Sequence, residues 1–226
     1  MLKKKIALFM NHPECSRQCV DGMIASLGQD YSIKIVSNEF FTRENLTEVD
    51  VVAFPGGFGD ADTYYDFFKR RHGNAVADFV EAGGYYLGIC MGAYWAGSNY
   101  FDLLKGVEPV QYIARDTADI RRPYGTVAEV DWLGQKEHMF FYDGCALIGE
   151  EHGNKHTFSR IGSYANRDPM AIIQRRVGVI GCHPEAEEFW FNGKYKYINK
   201  HWNHKRHHGL LLDFVDTLTG RVGRAA

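Results

Sequence analysis

The sequence predicts an α/β fold in three layers, a parallel sheet flanked by helices, with antiparallel strands added in the second half. Three observations carry this prediction. Short apolar runs alternate with amphipathic stretches over the first hundred residues. Two of those runs end in glycine-rich turns, at Pro55-Gly56-Gly57 and at Gly88-Ile89-Cys90-Met91-Gly92. Beyond Tyr100 the helical spacing gives way to short β-like segments through residues 108–180. Strands separated by helices imply a parallel sheet covered on both faces, with sites forming at the strand ends.

The elements follow in order. The basic start Met1-Leu2-Lys3-Lys4-Lys5 precedes only five apolar residues before Asn11-His12-Pro13. That is too short for a secretory core segment, so residues 4–10 are expected to form the first strand. Val20, Met23, Ile24 and Leu27 share one face of a helix over 16–27. Residues 31–36 and 49–54 read as strands, and 74–82 as a helix ahead of the strand that ends at Cys90. Segments 127–130, 138–142, 145–148, 157–164, 171–175 and 177–180 are expected to add antiparallel hairpins to the sheet edge. Leu210, Leu211, Phe214, Val215 and Leu218 place a last helix over 210–218. With no repeats and no interdomain linker, residues 1–226 are expected to form one domain.

Composition sets the outer bounds. Hydrophobic residues make up 45% of the chain and charged ones 24%, ordinary values for a globular protein. Twenty-eight acidic against 26 basic residues give a net charge of −2, so bulk electrostatics favours neither nucleic acid nor a membrane surface. No apolar run is long enough to span a bilayer. The five cysteines, Cys15, Cys19, Cys90, Cys145 and Cys182, are odd in number and lack a repeated spacing. Cys15 and Cys19, with three residues between them, fit neither a zinc knuckle nor a redox pair. Free thiols in a reducing cytoplasm are the simplest account, with no cofactor and no metal expected.

The chemistry centres on Cys90. A strand that ends in small-x-Cys-x-small and leads into a helix is the geometry of a nucleophile elbow, whose small neighbours let helix and strand approach closely. A helix N-terminus favours the thiolate. The Met91 N–H is placed to meet an oxyanion formed on a carbonyl attacked by Cys90. A second donor is expected from the turn Pro55-Gly56-Gly57-Phe58-Gly59, with Gly57 the chosen residue. Far downstream, Cys182-His183-Pro184-Glu185 follows another buried run. There His183 would be general base and acid, with Glu185 fixing its tautomer. Either motif alone is more simply core; their conjunction points to a Cys90-His183-Glu185 triad. Cys182 itself reads as a buried strand residue.

Taken together these motifs resemble the class I glutamine amidotransferases: an oxyanion glycine turn, a G-x-C-x-G elbow and a C-terminal H-x-E. Within that superfamily the chain is most similar to the N-terminal domain of biotin-protein ligases. The matching stretches are Phe54-Pro55-Gly56-Gly57, the run from Phe79 through Gly83-Gly84-Tyr85-Tyr86-Leu87-Gly88-Ile89-Cys90-Met91-Gly92-Ala93-Tyr94, Tyr142-Asp143-Gly144, and His183-Pro184-Glu185. The resemblance implies a flavodoxin-like sheet and a reaction in which Cys90 attacks the side-chain amide of glutamine. Ammonia would then pass to an ATP-dependent ligase or synthetase. No Walker-type phosphate loop is present, so that partner is expected to be a separate polypeptide. Gly56, Phe58 and Tyr94 are expected to border the substrate. Tyr94 stands where glutamine-using members often carry Gln. That departure keeps two alternatives open: a non-catalytic binding or regulatory module of the same fold, and a hydrolase of another small γ-glutamyl or amide substrate.

Two further segments invite a role. Residues 194–208 combine Lys194, Lys196, Lys200, Lys205 and Arg206 with His201, His204, His207, His208 and several aromatics. A phosphate or nucleic-acid patch, a metal site on the helical spacing of His201, His204 and His208, and a partner-docking surface are all conceivable. A solvated surface segment is the simplest reading. The run Arg115, Asp116, Asp119, Arg121, Arg122 is expected to be an exposed loop.

Overall fold

The computed structural model describes residues 2–11, 16–58, 60–69, 74–149, 158–192, 196–203 and 205–221. His12, Pro13, Cys15, Gly59, Lys194 and His204, each invoked above, and the first residue of segment 157–164 lie outside the described residues.

The strands are β1 (Lys5–Phe9), β2 (Ser32–Val36), β3 (Val51–Phe54), β4 (Tyr85–Ile89), β5 (Val107–Gln111), β6 (Thr126–Trp132), β7 (Gln135–Phe141), β8 (Cys145–Gly149), β9 (Ser159–Tyr164), β10 (Pro169–Gln174) and β11 (Val177–Ile180). The helices are α1 (Arg17–Leu27), α2 (Arg43–Leu46), α3 (Ala61–Tyr64), α4 (Ala75–Glu81), α5 (Met91–Trp95), α6 (Glu188–Phe191) and α7 (Arg206–Thr219). Nine strands form one sheet in the order β2-β1-β3-β4-β11-β10-β9-β6-β7. The first five are parallel, and β10, β9, β6 and β7 continue the sheet antiparallel. The α/β architecture with antiparallel additions is therefore the one the sequence predicts.

Alternation along the strands builds the two cores. Ile6 and Leu8 of β1 face Val20, Met23 and Leu27 of α1 and Leu211, Phe214 and Val215 of α7. Ala7 and Phe9 point to the other side, among Phe41, Phe54, Tyr64, Phe68, Tyr86, Trp95 and Phe101. Both faces of β1, β3, β4 and β11 are buried, which is why these runs read as nearly continuous apolar sequence, whereas the edge strand β2 is mostly exposed. The second core is largely aromatic: Phe54 has ring centroids of Phe101, Phe9 and Tyr86 at 5.1, 5.2 and 5.3 Å. Such contacts add about 0.5–1.5 kcal/mol per pair beyond the area they bury.

Two expectations need correction. β8 does not join the main sheet but pairs with β5 in a separate two-stranded sheet. β5 carries Pro109, a residue tolerated where one strand edge is left unpaired. The last helix starts at Arg206 rather than near 210, because His207 and His208 are buried and extend its inner face. Among the described residues no helix is long and apolar enough to cross a membrane.

Candidate active site

Strand order brings the motifs together. β3, β4 and β11 are adjacent and parallel, with Phe54 opposite Gly88 and Ile180 opposite Ile89. Pro55-Gly56-Gly57, Cys90 and His183 therefore leave the sheet at the same edge, each within three residues of a strand end. Sequence separation between elbow and histidine is absorbed by the antiparallel excursion that returns through β11.

Cys90 occupies the turn between β4 and α5 with φ 50° and ψ −104°. A non-glycine residue held there costs about 1–3 kcal/mol and needs support from its surroundings. The support is visible. The Cys90 N–H donates to Ile180 O at 2.9 Å, and its carbonyl accepts from the N–H groups of Ala93 and Tyr94 at 2.9 and 3.1 Å. The Tyr86 hydroxyl donates to Gly92 O at 2.7 Å. A Cβ on Gly88 would overlap the Gly92 carbonyl, and one on Gly92 would overlap the Phe54 carbonyl. The two glycines flanking the cysteine are thus required for helix, elbow and β3 to approach so closely.

His183 lies behind the elbow, only 3% exposed, and its backbone N–H donates to Phe140 O at 2.9 Å. Nδ1 is 2.9 Å from Glu185 Oε1, and Glu185 is wholly buried. The carboxylate requires Nδ1 to carry the proton in that bond, which leaves Nε2 for Cys90. Burial alone would pull the imidazole pKa down. The Glu185 charge, the Cys90 charge and hydrogen bonds with Cys19 and Cys90 overcome it, so His183 titrates well above the ordinary imidazole range. A protonated His183 beside a cysteine is the pairing that sustains a thiolate.

Sequence reasoning missed one neighbour. Cys19, on α1, brings its Sγ to 4.0 Å from His183 Nδ1. Burial pushes its thiol up, as it does those of Cys145 and Cys182, the last to about 12. A cysteine on the apolar face of a helix reads as core, and only tertiary packing shows that this one meets the histidine. Gly56 makes the meeting possible: a Cβ there would stand 2.7 Å from His183 Cε1 and 2.8 Å from Cys19 Sγ. Gly56 therefore lies against the imidazole ring.

A cavity of about 630 Å³ opens in front of Cys90. Cys19, Gly57, Phe58, Cys90, Met91, Tyr94 and His183 line it, together with Phe140, Tyr142, Asp143, Phe189 and Trp190. Tyr142 and Asp143 form one wall. The Cys90 thiol points at Tyr142 O, 3.6 Å away, and the Tyr94 hydroxyl donates to Asp143 O at 3.4 Å. Asp143 is in turn fixed by Gln111 Nε2, which donates to both its oxygens at 2.8 and 3.0 Å. The Phe58 and Tyr142 rings meet edge-on at 6.5 Å, and the Trp190 ring lies 5.5 Å from His183.

The basic, histidine-rich segment is not simply a solvated surface. His207 and His208 are buried. His207 Nε2 lies 3.3 Å from Glu137 Oε2, Arg206 donates to Glu137 Oε1 at 2.6 Å, and His208 Nε2 is 3.3 Å from Ala186 O. These contacts pin α7 to β7 and to the loop carrying Glu185. His201 stacks on His138 with centroids 4.5 Å apart. In the 115–122 run, Arg115 pairs with Asp168 at 2.9 Å and Tyr112 donates to Asp119 at 2.6 Å, so that segment is tied to the body.

Comparison with known proteins gives the same assignment of fold. Residues 11–109 match the family described as biotin-protein ligase, N terminal. No curated protein matches the sequence. Among solved structures, a glutamine amidotransferase superposes with a TM-score of 0.61 at 16% identity, covering 95% of this chain and 98% of that one. A putative GMP synthase subunit from Thermoplasma acidophilum gives 0.62 at 16%, covering 97% and 96%. A glutamine amidotransferase from Thermotoga maritima gives 0.62 at 11%, covering 97% and 99%. At such identities the likeness establishes the fold and no more. Residues 11–109 thus carry the biotin-protein ligase N-terminal pattern, on a chain with the class I glutamine amidotransferase fold that the sequence resemblance implied.

Proposed function

We propose that the chain is a single-domain amidohydrolase with a Cys90-His183-Glu185 triad, of the glutamine amidotransferase type, releasing ammonia from glutamine for a separate ATP-dependent ligase or synthetase. The observation that carries this reading is Cys90 on a strained elbow, in front of an open cavity and beside the buried His183–Glu185 pair. A purely structural site has no use for a strained cysteine, a base and an orienting carboxylate together. A neighbour named as a GMP synthase subunit is consistent with a synthetase partner. Four described free thiols are consistent with a reducing cytoplasm.

In this mechanism Cys90, its proton transferred to His183 Nε2, attacks the carboxamide carbon. The carbonyl oxygen becomes an oxyanion, met by the N–H groups of Gly57 and Met91. His183 returns the proton from Nε2 to the amide nitrogen, the C–N bond breaks and ammonia leaves. A water then gives its proton to His183 and attacks the thioester carbon. The C–S bond breaks, releasing the carboxylic acid and restoring the thiol. Throughout, Glu185 accepts the Nδ1–H bond and balances the imidazolium.

The cavity favours a second reading of the substrate. Its volume suits a ligand of drug-like size, and Phe58, Tyr94, Phe140, Tyr142, Phe189 and Trp190 supply aromatic surface well beyond what the stem of glutamine covers. An amide bearing an apolar or aromatic group would use those rings. Hydrolysis of glutamine and of a series of apolar carboxamides by wild type, Cys90→Ala and His183→Ala tests both readings. Turnover lost in both variants supports the triad, and the preferred amide chooses the substrate. Equal behaviour of all three proteins on every amide overturns the catalytic reading.

A further inference from the structure

We infer that Cys19, His183 and Glu185 form a binding site for a soft divalent metal ion of the zinc class, and that its occupation silences the triad. The thiol Sγ, the imidazole Nδ1 and a carboxylate oxygen of these buried residues lie within 4.8 Å of one another. Four-coordinate zinc, with bonds of roughly 2.3 Å to sulfur and 2.0–2.1 Å to nitrogen, places those two ligands about 3.5 Å apart. Cys19 Sγ and His183 Nδ1 are 4.0 Å apart, so a closure of about half an ångström would bring them to that separation.

An independent observation points to a ligand. Glu185 is wholly buried, yet its Oε2 has no hydrogen-bond partner among the described residues. A buried carboxylate oxygen without a partner is costly, and a cation beside it removes the cost. The missing side chain of Gly56 supplies the room in which thiol and imidazole meet. Cys19 and His183 both line the cavity, giving an ion a path inward and a fourth position open to water. Thiolate with imidazole selects zinc, cobalt or cadmium over magnesium or calcium.

Binding displaces the Cys19 thiol proton and the Nδ1 proton to solvent and breaks the bond between Nδ1 and Glu185. The ring then carries its only proton on Nε2, and giving that up would leave an imidazolate. It can no longer pass a proton from Cys90 to departing ammonia. This consequence rests on the proposed triad; the binding itself does not.

The test follows binding directly. Co²⁺ is added to the metal-free full chain, the thiolate-to-cobalt absorption is recorded, and Zn²⁺ is used as competitor. The account expects one ion per chain and a sulfur band displaced by Zn²⁺. It expects the band retained in Cys90→Ser and lost in Cys19→Ser, with Zn²⁺ binding weakened there by at least about tenfold. No binding to the wild type overturns the proposal, as does a band that survives in Cys19→Ser or disappears in Cys90→Ser. If circular dichroism shows Cys19→Ser unfolded, Glu185→Gln decides: a loss of about tenfold in Zn²⁺ affinity supports the site, and unchanged affinity overturns it. Because no amide is involved, failure here leaves the catalytic reading untouched, and the reverse also holds.

Discussion

His183 beside Glu185 at the sheet edge and His207 beside Glu137 under α7 are near-identical pairs by simple description. Both histidines are 3% exposed, and each faces a carboxylate, at 2.9 and 3.3 Å. Their protonation is opposite. His183 is held well above the ordinary imidazole range, whereas burial pushes His207 down to about 4 despite Glu137. Burial is the largest cause at His207, and neighbouring cations add to it. Arg206 takes one oxygen of Glu137 at 2.6 Å and offsets part of that carboxylate's pull, as His208 does, so His207 stays neutral. Glu185 has no such cation among the described residues, and Cys90 adds a second negative partner on the far side of the ring. A buried histidine is thus made a base or a scaffold by what competes for its carboxylate.

The comparison can be broken at several points. The largest effect is expected from Cys90→Ala, which should lower amide turnover by about 10⁴-fold or more while the melting temperature changes little, because alanine keeps the Cβ and the same strained backbone. Glu185→Gln should cost about 10²–10⁴-fold in kcat, whereas His207→Gln, at a residue that does not line the cavity, should leave kcat within about threefold. Comparable losses in both would mean that the two pairs are not functionally distinct. Gly56→Ala pushes a Cβ against the His183 ring and should cost about 10–100-fold in kcat with only about 1–3 kcal/mol of stability, measured by denaturant unfolding.

Smaller effects sharpen the scaffold pair. Arg206→Gln frees the Glu137 charge, so the His207 pKa should rise from about 4 towards the ordinary range, read by NMR titration of the ring protons. Acid sensitivity follows from the same depressed value. Between pH 6.5 and about 4 the unfolded chain binds a proton at His207 that the folded chain refuses. The stability contributed by keeping His207 neutral is complete above 6.5 and falls as pH drops towards 4. His207→Gln should flatten that part of the stability–pH curve.

What the sequence made legible followed its local grammar. The apolar runs of β3, β4 and β11 and the small residues around Cys90 announce strand ends and an elbow, and parallel-strand logic places them at one edge. The pairing of β8 with β5 was hidden because Pro109 breaks the strand pattern, and nothing local says which hairpin leaves the sheet. Cys19 was hidden because a helical cysteine beside Val20 and Met23 looks like core. Its meeting with His183 depends on α1 crossing the sheet edge and on the absent side chain of Gly56. The burial of His207 was not legible because a histidine near lysines reads as surface, and its partner Glu137 lies on a distant strand.

The central claim is that one thiol of the chain is activated by His183. Intact and peptide mass spectrometry after treatment with a chloroketone analogue of glutamine, or of the best amide found, measures it directly. Among the four described thiols the account predicts an adduct on Cys90 alone, slowed by at least about 10²-fold in His183→Ala, with Cys19, Cys145 and Cys182 unmodified in the folded protein. Labelling spread over the other thiols, or an equal rate at Cys90 without His183, would contradict it.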